Sequence, residues 1–94
     1  MGERELKQLG MNTLLAVGEG SSSPSKVVTM EWQGSDADPV AVVGKGVCFD
    51  TGGISLKPAK GMEQMTMDMA GAGVVSGVMT VSYTHLTLPT KRIV

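Results

Sequence analysis

The sequence predicts an α/β fold, helices packed on a sheet, and three stretches predict it. Val40–Val43, VAVV, is a continuous apolar run of the kind that forms a strand buried on both faces of an open sheet. Lys26–Gln33, KVVTMEWQ, alternates as a half-buried strand does. Met62, Met65, Met69, Ala72 and Val75 recur at helical spacing, which predicts a helix from Met62 to about Met79.

The other elements follow in order. Glu3–Leu9 reads as a short helix, with Leu6 and Leu9 three apart and Gly10 as its stop. Asn12–Val17, NTLLAV, reads as a strand running into a Gly18-Glu19-Gly20 turn. Ser21–Ser25 is a polar loop, and Gly34–Asp38 is a turn before Pro39. The helix after Met62 carries Gly71, Gly73 and Gly77. In an isolated helix three such glycines cost roughly 3 kcal/mol against alanine, so they predict a helix packed tightly on its neighbours. No internal repeat is visible.

Composition narrows the function. With 94 residues there is room for one small domain or a piece of a larger one. A net charge of −1 gives no electrostatic case for nucleic acid or an anionic membrane as partner. The single cysteine, Cys48, excludes an internal disulfide framework and fits a reducing, cytoplasmic compartment. The charged start, MGERELKQLG, lacks the apolar core of a secretory signal, and no apolar run approaches the roughly 20 residues of a membrane span. Eight methionines against three aromatics describe a light, adaptable core.

The chemistry concentrates between Val42 and Ala72, where Lys45, Asp50, Lys57 and Asp68 fall within 24 residues among Val, Phe, Ile, Leu and Met. Apolar surroundings do not take charged groups without a reason. Asp50 follows the expected buried strand, and Asp68 falls in the first turns of the expected helix. Carboxylates converging from such positions either repel or share a cation, for which a divalent metal is suited. Beside them a lysine can act as a cation that polarises a carbonyl, or as a neutral-amine ligand. Holding it neutral at pH 7 costs about 4–5 kcal/mol from an ordinary pKa near 10.4. The plainer reading makes Lys45 and Asp50 a structural ion pair and leaves Lys57 solvated. At this level both readings stand.

GKGVCFDTGGISLKP followed by MEQMTMDMAGA resembles the metal-site signature of the leucyl aminopeptidases, the dinuclear cytosol aminopeptidases. LGMNTLLAVGEGS and VVTMEWQG resemble that family's approach to its site, so the likeness runs from Leu9 to about Met79. It implies that residues 1–80 are the N-terminal part of a mixed-sheet α/β catalytic domain. It also implies two divalent metal ions, zinc or manganese, and peptide substrates. By resemblance Lys45 is a neutral-amine ligand of the tightly held metal, Asp50 bridges both metals and Asp68 ligates the tight one. Lys57 is then the charged lysine that polarises the scissile carbonyl, and Met65 lines the pocket for the substrate's first side chain. Full-length members are hexamers. The family's later Asp, Glu and Arg have no counterpart, since no Asp or Glu follows Asp68. The alternative is therefore a non-catalytic fragment.

From Val81 onward, VSYTHLTLPTKRIV, the family likeness stops. β-branched and aromatic residues there favour strand, and Pro89 breaks a helix. The stretch resembles the translation of a transposon-end sequencing adapter, so residues 81–94 are expected to be an unrelated, artefactual tail. The helix should then fray near Met79 or Thr80, and His85, in the tail, is not read as a ligand. Three weaker patterns have plain readings. Gly71-Ala-Gly73-Val-Val-Ser-Gly77 resembles a dinucleotide fingerprint but lies inside an expected helix rather than at a strand-to-helix turn. Gly44-Lys45-Gly46 lacks the Ser or Thr of a phosphate loop. Cys48, between Val47 and Phe49, reads as a small buried thiol on a strand.

Overall fold

The computed structural model describes residues 1–85 and 91–93. Its elements are α1 (Glu3–Gln8), α2 (Asn12–Val17), β1 (Met30–Trp32), α3 (Ala59–Met62), a 3-10 segment (Glu63–Met67), α4 (Ala70–His85) and β2 (Lys91–Ile93). β1 and β2 pair as a two-stranded sheet. Helices with a short strand pair are consistent with a partial α/β domain. The described residues separate into two units, one of Met1–Glu31 with β2 and one running from Trp32 through α4.

In the first unit, α1 opens with Glu3 and Glu5 and closes with Lys7, charges that complement the helix dipole. Gly10 has φ +74°, a left-handed turn that glycine takes at no steric cost, and α2 follows it. Asn12–Val17 is thus a helix and not the expected strand. A six-residue apolar run is ambiguous by period, and Leu14, Leu15 and Ala16 belong to good helix-forming types. In a strand Leu14 and Leu15 would point to opposite faces; in the helix both are half-buried. α1 and α2 pack on each other, and Leu6 is the one wholly buried hydrophobic side chain among the described residues. Residues 25–27 are tied back to the start of α1. The Ser25 N–H donates to Glu3 Oε1 at 2.8 Å, and Met1 and Val27 exchange backbone hydrogen bonds of 2.8 and 3.0 Å.

The expected strand over Lys26–Gln33 shortens to β1, with Met30 and Trp32 half-buried and Glu31 exposed, the alternation the sequence predicted. Val40–Val43 is not a strand: Val40 is 89% and Val43 91% exposed. A doubly buried strand needs hydrogen-bonded neighbours and covered faces, and among the described residues neither reaches this run. Cys48 is exposed rather than buried for the same reason, and its thiol sits 3.7 Å from the Gly46 carbonyl.

The expected helix from Met62 becomes two pieces. Ahead of it, α3 is a kinked turn in which Gly61 takes φ +119°. The 3-10 segment follows, and α4 begins only at Ala70. Met62, Met65, Ala72 and Val75 are half-buried, so the anticipated face is the inward one; Met69, at 41%, is the exception. α4 does not fray at Met79 but runs on to His85, across the start of the expected tail. Its hydroxyls are accommodated there. Ser76, Thr80 and Thr84 each donate to the carbonyl four residues back, at 2.8, 2.9 and 3.2 Å, so polar and β-branched side chains are satisfied inside the helix. Val81 is exposed and Tyr83 half-buried, while Leu86, Leu88 and Pro89 lie outside the described residues. The glycines divide as well. Only Gly71 is closely packed: a Cβ on Gly73 would meet just the Met69 methyl at 3.7 Å, and one on Gly77 would meet nothing within 4 Å.

Candidate functional site

Two loops and a helix start build the site. The first loop, Gly44–Gly46, crosses the N-terminal end of α4. A Cβ on Gly44 would strike the Gly71 carbonyl and come within 2.8 Å of the Ala72 nitrogen, while one on Gly71 would come within 2.8 Å of the Lys45 nitrogen. The Ala72 N–H donates to the Lys45 carbonyl at 2.9 Å. Held this way, Lys45 extends to Asp68, which closes the 3-10 segment with its own N–H donating to the Met65 carbonyl at 3.2 Å. Lys45 Nζ donates to Asp68 Oδ1 at 2.8 Å.

The second loop is a tight turn after Asp50. Gly52 and Gly53 take φ +92° and +63°, and the Gly52 N–H donates to Asp50 Oδ1 at 2.8 Å, an Asx-type turn. The Lys57 N–H then donates to the Thr51 carbonyl at 2.8 Å, which returns the chain and sets Lys57 Nζ 3.3 Å from Asp50 Oδ2. All four residues singled out in the sequence therefore fall into two lysine–carboxylate pairs. They are not the pairs the plainer reading expected. Lys45 takes Asp68 rather than Asp50, and Lys57 is not solvated alone but bound to Asp50.

The electrostatics join the two pairs. Hydrogen bonding to Asp68 holds the Lys45 ammonium above the ordinary lysine pKa against its desolvation, and the charges of Asp68 and Asp50 add to that. Asp50 is held below the ordinary carboxylate value, first by the Gly52 N–H and then by Lys57, with the charges of Lys57 and Lys45 contributing. As it stands, then, Lys45 is an ammonium. Service as a neutral-amine ligand requires it to leave Asp68 and shed a proton.

Two buried side-chain atoms among the described residues have no partner, Trp32 Nε1 and, within the cluster, Asp68 Oδ2. Asp68 Oδ2 is buried without a hydrogen bond, although the side chain as a whole is 17% exposed and Lys45 60% exposed. An unsatisfied buried polar atom costs about 1–3 kcal/mol, more if charged, whereas an exposed ion pair returns about 0–1 kcal/mol. The pair does not offset the orphan. Two carboxylates, one with a shielded and unused oxygen, fit a divalent cation. Lysines do the rest of the lining, for among the described residues no three His, Cys, Asp or Glu side chains gather as a metal cluster. Met65 is half-buried beside Asp68 in sequence and touches the site through its carbonyl.

A concavity of about 640 Å³ lies away from this chemistry, lined by Glu3, Arg4, Lys7, Asn12 and Leu15 among others. Its lining includes none of the four site residues and no unpartnered buried polar atom, so the cluster and not the hollow marks the site. What the residue reading missed is the turn itself, the Gly52 N–H and Thr51 carbonyl, although Asp50-Thr51-Gly52-Gly53 carries the Asx-turn pattern in plain view. Gly71-Ala-Gly73 lies inside α4, which removes the structural setting a dinucleotide fingerprint needs.

The structure shows two lysine–carboxylate pairs held by glycine turns, and comparison with known proteins names the class. The model of the cytosol aminopeptidase family, catalytic domain, matches residues 1–94, and the chain belongs to that family. A protein of Dinoroseobacter shibae named "Probable cytosol aminopeptidase" is 65% identical over 78 residues, covering 82% of this chain and 16% of its own length. Proteins of the same name from Cereibacter sphaeroides and Caulobacter vibrioides are 63% and 58% identical over 79 and 82 residues, which is 82% and 84% of this chain. The chain spans 16–17% of the length of these relatives. No solved structure matches it significantly. No helix among the described residues is long and apolar enough to cross a membrane.

Proposed function

We propose that this chain supplies the first part of the active site of a metal-dependent aminopeptidase that removes N-terminal, preferably leucine-like, residues from peptides in the cytoplasm. The observation that carries the reading is Asp68 Oδ2, a buried carboxylate oxygen without a partner, on the carboxylate that with Asp50 acts on the charge of Lys45. Asp50, Asp68 and Lys45 would hold two divalent ions, zinc or manganese. When bound, such ions make water a nucleophile near neutral pH and polarise the scissile carbonyl. Lys57, oriented by Asp50, donates to the carbonyl oxygen as negative charge develops on it, where a preset donor has its largest effect. To serve as a neutral-amine ligand Lys45 would have to leave Asp68 and pass its proton to solvent, which costs about 4–5 kcal/mol from an ordinary lysine pKa and more while Asp68 holds it. Met65 contributes to the pocket for the first side chain. The mixed sheet, with Val40–Val43 as one of its strands, and the hexamer are expected only of the full-length protein, whose further segments would cover the exposed valines.

A second reading concerns the 94 residues alone, and the residue inventory favours it. No Asp or Glu follows Asp68, so one metal keeps Asp50 as its only carboxylate. We read the isolated chain as a non-catalytic fragment that binds one divalent ion weakly, and residues 81–94 as foreign to the domain. Calorimetric titration with zinc or manganese tests both statements. Binding should weaken in Asp50→Ala and Asp68→Ala, and equal binding by wild type and Asp50→Ala refutes the site. No leucine should be released from a leucyl amide, and turnover abolished by Lys57→Ala would show the fragment to be an enzyme.

A further inference from the structure

Whatever Lys45 does chemically, something must place it. Its side chain is 60% exposed and makes a single hydrogen bond, to Asp68, so packing does not fix the amine. The backbone does. Gly44 and Gly71 touch main chain to main chain, a Cβ on either would intrude on the other strand of the crossing, and Ala72 N–H to Lys45 carbonyl locks the register at 2.9 Å. Neither glycine has a positive φ, so backbone conformation does not demand glycine at either position. Space does. The other glycines of α4 lack this constraint, because Gly73 faces only a flexible methionine tip and Gly77 faces nothing.

We propose that Gly44 and Gly71 are positioning residues of the metal site, the absence of a side chain at both letting the Lys45 loop approach α4 closely enough for Lys45 to meet Asp68. This rests on the aminopeptidase reading for the metal, but the placement of Lys45 stands apart from it. A methyl at 71 must push the Gly44–Gly46 loop off α4, because the atoms it meets are backbone and cannot swing aside. Lys45 then loses Asp68, and the cation site loses one side.

Two readouts on the whole 94-residue chain test this. The first is the 13C shift of the Asp68 carboxyl, which should respond to Lys45→Met in the wild-type background and cease to respond in Gly71→Ala. The second is calorimetric affinity for Zn2+, expected to fall at least tenfold in Gly71→Ala and to be unchanged in Gly77→Ala, with far-UV helix content retained in both. Should Gly71→Ala lose its helix signal, Gly46→Ala reads the same crossing more gently, since its Cβ would meet only the Ala72 methyl at 3.3 Å; a twofold to fivefold loss is expected. A carboxyl response lost in Gly71→Ala while wild type binds no Zn2+ upholds the positioning and overturns the metal reading. A response that survives Gly71→Ala, or is missing in wild type, overturns the positioning; so does an undiminished Zn2+ affinity in Gly71→Ala, or in Gly46→Ala where that is the variant measured.

Discussion

The two lysine–carboxylate pairs look alike and are made differently. Lys57 reaches Asp50 across seven positions of tight turn, closed by the Gly52 N–H on the carboxylate and the Lys57 N–H on the Thr51 carbonyl. Lys45 reaches Asp68 across 23 positions, through a backbone crossing that two glycines leave open. The local pair carries its own frame and needs little from the rest of the chain. The distant pair exists only while the Gly44–Gly46 loop lies on α4. A site assembled from both kinds has one preset side, Lys57 with Asp50, and one that can be displaced, Lys45 with Asp68. On the proposed aminopeptidase reading, that division would suit a fixed donor and a ligand set that opens to admit a cation.

The comparison breaks most visibly at Lys57. In a full-length relative carrying this segment, Lys57→Ala should lower kcat by about 10²–10³-fold, the usual loss when a preset transition-state donor is removed. KM should change little, because the charge it meets develops only in the transition state. A change confined to KM would remove Lys57 from the chemistry and leave it as the counter-ion of Asp50.

Next in size is the turn that presets it. Gly52 has φ +92°, and a Cβ there would strike the Ser55 carbonyl and sit 2.9 Å from the Lys57 nitrogen. Gly52→Ala should raise the free energy of the folded chain by about 1–3 kcal/mol, the usual cost of a strained backbone position. Chemical denaturation measures it. If the turn frames only the local pair, Asp68 should keep its 13C shift in this variant while Asp50 loses its own. Movement of both would mean that the two pairs are one mechanical unit.

How much of this was legible follows the same division. Asp50-Thr51-Gly52-Gly53 carries a local turn signal in its residue types, which the reading that left Lys57 solvated passed over. The inward face of Met62, Met65, Ala72 and Val75 was legible too, because helical period is a local property. The Lys45–Asp68 pair was not, since no periodicity indicates which of two carboxylates a loop will meet after a helix folds back. Val40–Val43 failed for a related reason: its composition describes the environment of a buried strand, and that environment is supplied by other strands and helices. NTLLAV failed more simply, with a length and period that suit either state.

A smaller effect sharpens the contrast between Gly71 and the rest of α4. Gly77 lies in mid-helix with open space where a Cβ would go, so Gly77→Ala should stabilise the chain by roughly 0.5–1 kcal/mol through backbone entropy alone. Thermal unfolding followed at 222 nm should show the rise. A drop instead would mean that a partner in the folded molecule approaches Gly77 as closely as Gly44 approaches Gly71.

The smallest expected effect is one of pH, and it separates the two frames around Asp50. Its carboxyl pKa is lowered in the folded chain, with the Gly52 N–H as the largest cause and Lys57 as the second. A lowered pKa means that the folded state prefers the ionised form, so the contribution to stability is present above the ordinary carboxylate value of 3.8. It is lost as pH falls through the lower, folded value. Because the group is exposed, solvent screens the effect and the stability change is slight; the titration itself is the better measure. A 13C-detected titration should place the Asp50 midpoint below the ordinary carboxylate value of 3.8. Lys57→Ala should move the midpoint upward yet leave it below that ordinary value, since the hydrogen bond from Gly52 remains. If Lys57→Ala erases the whole difference, the turn contributes nothing to the carboxylate. The local pair would then be held by charge and not by the preset frame that sets it apart.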